Sequence, residues 1–167
     1  MSGGFVSASN RAQARERAHA DGVYPAPLTP GRSRNMQANR RANTKPEVAL
    51  RSALHRLGYR FRKDHLLRLD GGIRARPDIV FTARKVAVFV DGCFWHVCPE
   101  HGRYPTTNDW YWTPKLRRNL ERDQLVNGAL VEHGWQVLRI WEHQTIEEST
   151  ELVAAVLKSA VTSHESA

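Results

Sequence analysis

The densest chemistry of the chain lies in residues 91–101, DGCFWHVCPEH, which hold both cysteines, two histidines and two adjacent large aromatic residues. Cys93, Cys98 and His101 lie close together, and thiolate and imidazole groups are donors that suit a tetrahedral zinc ion. A fourth donor must come from elsewhere, and His143, just after the last predicted strand, is the best candidate. A site closed by four protein ligands would be structural, because no coordination position remains for water. The alternatives are two buried thiols or a local disulfide.

Three carboxylates and one histidine break the local pattern and could form a hydrolytic site. Asp78 follows Pro77 and leads into an apolar run, where a carboxylate is costly to desolvate unless it has a partner or a metal. Asp123 falls on the apolar stripe of a predicted helix, so it faces a buried partner or a site. His96 beside such a carboxylate could act as a general base. A predicted helix cap accounts for a glutamate at position 47, but the Glu47 carboxylate could still reach a neighbouring site. The structural alternatives are a turn residue, another helix phase and an ordinary histidine.

Aromatic and basic residues point to nucleic acid. Five aromatic residues, at 94–95 and 110–112, fall in segments predicted as loops, where they could stack on bases or wedge between base steps. Isolated aromatic residues more often belong to a core. Residues 32–76 carry 13 Lys and Arg against three acidic residues, within a chain of net charge +8. Clustered charge favours a polyanionic partner, and the alternative is a solvated basic surface.

The elements that must position these residues follow from periodicity and turn signals. Residues 44–47, TKPE, predict a capping box for a helix that ends at Gly58. Strands are predicted at 59–63, 78–82, 86–91 and 135–141, the second and third as a hairpin, and further helices at 113–133 and 149–162. This α-β-β-β-α-β-α order predicts one mixed sheet flanked by helices, an α/β fold.

Composition bounds the class of protein. The chain has 167 residues, of which 41% are apolar, enough for one domain with a core and no disulfide scaffold. Residues 1–31 predict a disordered basic tail, residues 32–162 the folded domain and residues 163–167 a short C-terminal tail. The chain has no apolar run of about 18 residues, the length that would predict a membrane span. Its N-terminus also lacks the apolar region of a secretory signal. Two cysteines predict a reducing, cytoplasmic compartment.

Four motifs together resemble the very short patch repair endonucleases, which nick DNA at mismatches. They are Ser33-Arg34-Asn35-Met36, Pro77-Asp78, Gly92-Cys93-Phe94-Trp95-His96 and Glu121-Arg122-Asp123. The similarity runs from about residue 33 to residue 143, and the Gly-Cys-Phe-Trp-His run is highly specific to that family. It implies a restriction-endonuclease-like fold of the PD-(D/E)xK type with a structural zinc site. It also implies hydrolysis 5′ to the thymine of a T:G mismatch, which arises when 5-methylcytosine deaminates.

The resemblance also implies catalytic roles. Asp78 matches the essential metal-binding aspartate and would hold Mg²⁺, together with the main-chain carbonyl of Val90. His96 matches the histidine that deprotonates or orients the attacking water, and Asp123 the carboxylate that orients this histidine. Glu47 matches an acid near the water shell of the metal. Mg²⁺ keeps several waters, so few protein ligands suffice.

DNA contacts and zinc ligands are implied in the same way. The matching DNA-binding positions are Phe94, Trp95 and Trp112 for intercalation, Met36 and Lys115 for the mispair, and Asn119 for a further contact. The zinc set becomes Cys93, Cys98, His101 and His143, although the family often has an additional histidine between its cysteines and a cysteine as the last ligand. Many relatives have histidine in place of Asp91, whose carboxylate could strengthen metal binding or repel the phosphate.

The expected partner is double-stranded DNA with a T:G mismatch, cut by a monomer in the cytoplasm at the nucleoid, with mismatch-repair proteins as further candidates. Two other functions stay open. A restriction-like nuclease would use the same catalytic core on unmodified or differently modified duplex. A zinc-stabilised DNA-binding module would need no Mg²⁺ and would tolerate changes at Asp78. The sequence gives neither the base context of the mismatch nor the role of residues 1–31.

Overall fold

Three helices and six strands make up the part of the chain that the computed structural model describes, residues 42–162, with side chains to residue 160. The elements are α1 Lys45–Arg56, β1 Arg62–Lys63, β2 Leu67–Arg68, β3 Arg74–Ala75, β4 Ile79–Phe81, β5 Val86–Asp91, α2 Asp109–Glu132, β6 Gln136–Trp141 and α3 Ile146–Thr162. The predicted tails, 1–31 and 163–167, and Met36 lie outside the described residues. None of the described helices combines the length and apolar composition needed to cross a bilayer.

A four-stranded mixed sheet forms the centre of the fold, which confirms the predicted mixed sheet, and its strand order, which the sequence did not predict, is β1-β4-β5-β6. β4 is antiparallel to β1 and β5, whereas β5 and β6 are parallel from the pair Val86↔Gln136 to the pair Asp91↔Trp141. Parallel neighbours need a crossover connection, which the long helix α2 provides. The C-terminal ends of β5 and β6 therefore meet at one edge of the sheet.

Helices cover both faces of the sheet, because alternate residues of each strand point to opposite sides. On one face, Ile79, Val88 and Ile140 pack against α1 and α3. On the other face, Val80 and Ala87 pack with Leu130 of α2. The edge where β5 and β6 end thus lies between two apolar layers.

A small second sheet, β2 with β3, was not predicted. Its pairs are Leu67↔Ala75 and Arg68↔Arg74. Leu67 and Ala75 are buried in the cluster that contains Leu130 of α2, while both arginines are exposed. Strands of two residues are too short to show periodicity in a sequence.

Helix α2 begins at Asp109, so the prediction that Thr113-Pro114 opens it is wrong, as is the prediction of a loop at 110–112. Pro114 lies inside the helix, where its missing amide leaves the carbonyl of residue 110 without its helical partner. The first turn forms upstream because the amides of Tyr111 and Trp112 both donate to the Asn108 carbonyl, at 3.0 and 3.1 Å.

Two further boundaries differ from prediction. The strand predicted at 59–63 pairs only at Arg62–Lys63, because Tyr59 and Phe61 turn into the core against Phe81, with ring centroids 6.2 and 5.8 Å away. Helix α3 begins at Ile146 rather than at residue 149. A reciprocal capping box starts it: the residue-148 amide donates to the hydroxyl of Thr145 and the Thr145 amide to Glu148, at 3.2 and 2.9 Å.

Candidate active site and metal centre

Asp78, immediately before β4, is a carboxylate placed to meet a cation. Its Oδ2 accepts a hydrogen bond of 2.7 Å from the amide of Val90, which brings the residue-90 main chain against it. Burial, together with the charges of Glu47 and Asp91, raises the pKa of Asp78 to about 6 against the lowering effect of this amide. A divalent cation would stabilise the ionised form, and carboxylate and carbonyl oxygens are ligands that Mg²⁺ accepts. The residues present therefore fit a magnesium ion.

Glu47 lies beneath this carboxylate in the first turn of α1 and is only 3% exposed. Its Oε1 accepts from the Thr44 hydroxyl at 2.8 Å and its Oε2 from the Asn43 amide at 2.7 Å. The predicted reciprocal capping box is therefore wrong, because the Thr44 hydroxyl donates to Glu47 and does not cap the helix, and Glu47 accepts from the Asn43 amide in place of the Thr44 amide. Arg51 follows at 3.6 Å from Oε2, so Glu47 acts on Asp78 through its charge.

His96 and Asp123 form a hydrogen-bonded pair beside Asp91. Nδ1 of His96 lies 2.5 Å from Oδ2 of Asp123, and Nε2 lies 3.7 Å from Oδ1 of Asp91. Burial raises the pKa of Asp123, but the hydrogen bonds and charges of His96 and Arg139 outweigh it, so that the net pKa is lowered. An ionised Asp123 fixes the Nδ1–H tautomer and leaves the Nε2 lone pair available to accept a proton.

Arg139 of β6 is a site residue that the sequence interpretation missed. Its guanidinium donates to Oδ2 of Asp91 at 2.6 Å, and it contacts Oδ1 of Asp123 at 3.2 Å. Burial raises the pKa of Asp91, and the charges of His96 and Arg139 oppose this rise. The Asp91 carboxylate, which the sequence left between metal binding and phosphate repulsion, is paired with Arg139 and lies beside His96. The signal in the sequence was one arginine between Leu138 and Ile140 in an apolar strand.

The four sulfur and nitrogen side chains predicted to bind zinc converge beside the loop that follows β5, and we call them the Cys/His cluster. They are Cys93, Cys98, His101 and His143, and their ligand atoms all lie within 4.8 Å of one another. The distances from His143 Nδ1 to Cys93 Sγ, Cys98 Sγ and His101 Nδ1 are 3.1, 3.7 and 3.2 Å. Ligands of a tetrahedral zinc ion stand about 3.3–3.8 Å apart, so the set fits such an ion.

The chemistry of these donors supports a cation. Both cysteines are buried free thiols, which excludes the disulfide alternative in this structure. Burial and the neighbouring Cys98 together raise the pKa of the Cys93 thiol to about 11, so a thiolate there requires a nearby positive charge. On its other side, His143 Nε2 lies 3.6 Å from a carboxylate oxygen of Glu100, the kind of outer partner that orients a metal-bound imidazole.

The predicted DNA-binding residues within the described chain also converge. Phe94, Trp95 and Trp112 form an aromatic cluster with ring centroids 5.0, 5.3 and 6.0 Å apart. Lys115 Nζ lies 5.4 Å above the Trp95 ring and 5.3 Å above the Trp112 ring. The Asn119 side chain donates to the Trp95 carbonyl at 3.2 Å. These aromatic rings are half-buried, and two of them directly precede His96 in the chain.

Comparisons with known proteins identify relatives of this chain. A family model described as "DNA mismatch endonuclease Vsr" matches residues 28–100. The chain is 70% identical over 149 residues to the type II nicking enzyme V.NaeI of Lentzea aerocolonigenes, covering 89% of this chain and 88% of that enzyme. It is 36% identical over 115 residues to the DNA mismatch endonuclease Vsr of Escherichia coli (strain K12), covering 66% of this chain and 69% of that protein.

Proposed function

Since the chain belongs to the Vsr family of DNA mismatch endonucleases and is therefore a DNA-cleaving hydrolase, we propose that it nicks one strand of duplex DNA 5′ to the thymine of a T:G mismatch. The names of several relatives, "type II nicking enzyme", support cleavage of a single strand. A nick requires one active site, which favours a monomer. DNA as substrate favours action at the nucleoid in the cytoplasm.

The observation that carries this proposal is that Asp78 bonds the main chain of Val90, next to Asp91, while the His96–Asp123 pair lies beside the Asp91 carboxylate. Asp78 and the Val90 carbonyl would hold Mg²⁺, which stabilises negative charge on the phosphorane and the leaving oxygen when bound. Nε2 of His96 accepts the proton of the attacking water. The lowered pKa of Asp123 keeps it ionised, so it stabilises the imidazolium that results.

The aromatic cluster supplies a physical basis for mismatch preference. Apolar wedges that enter a base step must unstack it, at a cost of a few kcal/mol per step. A wobble pair stacks less well than a Watson–Crick pair, so the same wedge enters a T:G step at lower cost. Phosphate contacts can come from the exposed basic residues of the β1–β3 region, which are Arg62, Lys63, Arg68, Arg74 and Arg76.

We assign zinc to the Cys/His cluster as a structural ion. Four protein donors leave no open position for water, so this centre does not take part in hydrolysis. Two of its ligands, Cys93 and Cys98, flank Phe94, Trp95 and His96 in the chain. This supports a role for the ion in fixing the positions of the aromatic cluster and of His96, the proposed general base.

Three duplexes of one sequence test the reaction: T:G, T:A and C:G at one position, with either strand end-labelled, incubated with enzyme and Mg²⁺. We expect a nick 5′ to the thymine in the T:G duplex alone, and no nick with Asp78→Asn. Cutting of all three duplexes would support the restriction-like alternative and contradict mismatch specificity. Binding without cutting by the wild-type enzyme would contradict the assigned chemistry.

The wedge is tested separately. Trp112→Ala should reduce the preference for T:G over T:A, because it removes a ring that contacts both Phe94 and Trp95. The control is Trp110→Ala, whose ring is 54% exposed and contacts Tyr111. Cleavage rates on both duplexes give the preference, and an equal loss in the two variants would contradict a specific wedge.

A further inference from the structure

Arg139, Asp91, His96 and Asp123 form a closed ring of side-chain contacts. Its Nη1 lies 2.6 Å from Oδ2 of Asp91, and its Nη2 lies 3.2 Å from Oδ1 of Asp123. The other oxygen of Asp123 bonds Nδ1 of His96, and the other oxygen of Asp91 faces Nε2 at 3.7 Å. Each carboxylate is therefore held by Arg139 through one oxygen while the other oxygen faces the imidazole.

Contacts with Asn127 and Phe89 hold the Arg139 side chain in place, so it can fix the positions of the two carboxylates. Its Nε donates to Oδ1 of Asn127 at 3.3 Å, and its guanidinium carbon lies 4.8 Å above the ring of Phe89. The side chain is 20% exposed and belongs to the central sheet, paired with β5 in parallel register. A guanidinium is a rigid planar fork, so two carboxylates bound to its two ends have a fixed relative orientation.

The charge balance explains why an arginine is needed here. Asp91 and Asp123 have side chains only 4% and 15% exposed and face the same imidazole. Without Arg139, two poorly solvated negative charges would repel each other across His96, and at least one would move away. Lysine would keep the charge but offers a point charge in place of a fork.

We propose that Arg139 is a positioning residue of the nicking reaction, which orients His96 by fixing Asp91 and Asp123 on its two edges. It acts through these carboxylates and needs no contact with DNA. The kinetic part of this inference rests on the proposed function, while the orientation of the His96 ring is a property of the free protein.

The experiment compares Arg139→Met and Arg139→Lys with wild type in two assays. Single-turnover cleavage of the duplex that the wild-type enzyme cuts should slow by about a hundredfold in Arg139→Met, the usual effect of a displaced reacting group, with KM for DNA unchanged. Arg139→Lys should recover only part of this loss, because it restores charge without the fork. Arg84→Met is the control: this arginine donates to the Leu157 carbonyl at 3.4 Å, at the opposite end of β5.

The second assay is the NMR spectrum of the histidine side chains in the free protein. The Nδ1–H resonance of His96 should shift or broaden in both Arg139 variants, while that of His133, whose Nδ1 lies 2.7 Å from the Ala129 carbonyl, should not change. This assay needs no substrate, so it decides the inference even where the wild-type enzyme proves not to cut T:G duplexes.

An unchanged His96 resonance together with an unchanged cleavage rate would overturn the inference. A raised KM with an unchanged single-turnover rate would also overturn it, since Arg139 would then be a DNA contact. If Arg139→Met does not fold, the double variant Asp91→Asn with Arg139→Gln replaces the ion pair with a neutral hydrogen-bonding pair. Its slowed cleavage and altered His96 resonance would support the inference, and wild-type values would refute it.

Discussion

Replacing Asp78 with asparagine should stabilise the metal-free protein at pH 8 while abolishing its nicking activity. The change removes a buried negative charge next to Glu47 and Asp91 but keeps an oxygen that can accept the 2.7 Å hydrogen bond from the Val90 amide. Function and stability therefore conflict at this position, as is common where an active site holds unpaired charge.

The magnitude follows from the pKa of Asp78, which burial raises from 3.8 to about 6 in the folded protein. At 1.36 kcal/mol per pKa unit, the ionised carboxylate destabilises the fold by about 3 kcal/mol. Because the pKa is raised on folding, the folded protein binds the proton more tightly. The associated stability is fully present below pH 3.8 and is lost as the pH rises through about 6. Asparagine mimics the protonated state at every pH.

Urea unfolding followed by tryptophan fluorescence measures the difference, in magnesium-free buffer without chelator so that the Cys/His cluster keeps its metal. Asp78→Asn should be more stable than wild type by up to about 3 kcal/mol at pH 8, and by about half of that at pH 5. Saturating Mg²⁺ should then stabilise the wild type by about 2.7 kcal/mol at a hundredfold excess over Kd, and the variant much less. The control is Glu121→Gln, an exposed carboxylate of α2, with an expected change within about 0.5 kcal/mol.

Equal stability of Asp78→Asn and wild type at pH 8 would refute the argument that burial and neighbouring carboxylates penalise the ionised group. A gap that stays constant between pH 5 and pH 8 would refute it as well, because titration of Asp78 would then not be its cause. Equal stabilisation of both proteins by Mg²⁺ would place the ion elsewhere.

Two further substitutions test the remaining parts of the site. Asp123→Asn should slow single-turnover cleavage of the T:G duplex by about 10²–10⁴-fold, because it removes the charge that orients His96; a rate near wild type would contradict the proposed base. Gly102→Ala should lower zinc content and melting temperature, because a Cβ there would lie 2.4 Å from the Cys98 amide nitrogen. Atomic absorption and thermal unfolding check this against Gly128→Ala, whose Cβ would meet nothing within 4 Å, and equal metal content would contradict it.

The parts of the fold that the sequence predicts best are those with long local signals. β5 and β6 are six-residue strands with apolar stretches, and the sequence predicted both within one residue. β2 and β3 have two residues each and depend on tertiary packing, so no periodic signal marks them, while only Arg62–Lys63 of the strand predicted at 59–63 pairs as β1. The start of α2 was misplaced because proline favours a first turn, whereas contacts of Trp112 with the residue 94–95 rings support an earlier one.

The same distinction applies to the site. Asp78 and Asp123 could be singled out because each is a charge in an apolar pattern, and their roles came from a family resemblance. Arg139 also interrupts an apolar strand, but its partners lie 48 and 16 positions away in sequence, on β5 and α2. Pairing over such distances depends on strand register and on the crossover helix, which local patterns do not specify.

The loop from Gly92 to Cys98 gives a physical reason for the proposed structural metal to lie beside His96, the proposed general base. Val97, directly after His96, has a φ of 50°, a left-handed conformation that is strained for a β-branched residue and costs of the order of 1–3 kcal/mol. Both ends of the segment are fixed: the Cys93 amide donates to Glu142 at 2.7 Å, and the Cys98 amide donates to the Cys93 carbonyl at 2.9 Å. A metal bound by both cysteines would offset this strain, because relaxing Val97 would separate its ligands. The binding energy of the ion would thus hold His96 in the one orientation that meets Asp123.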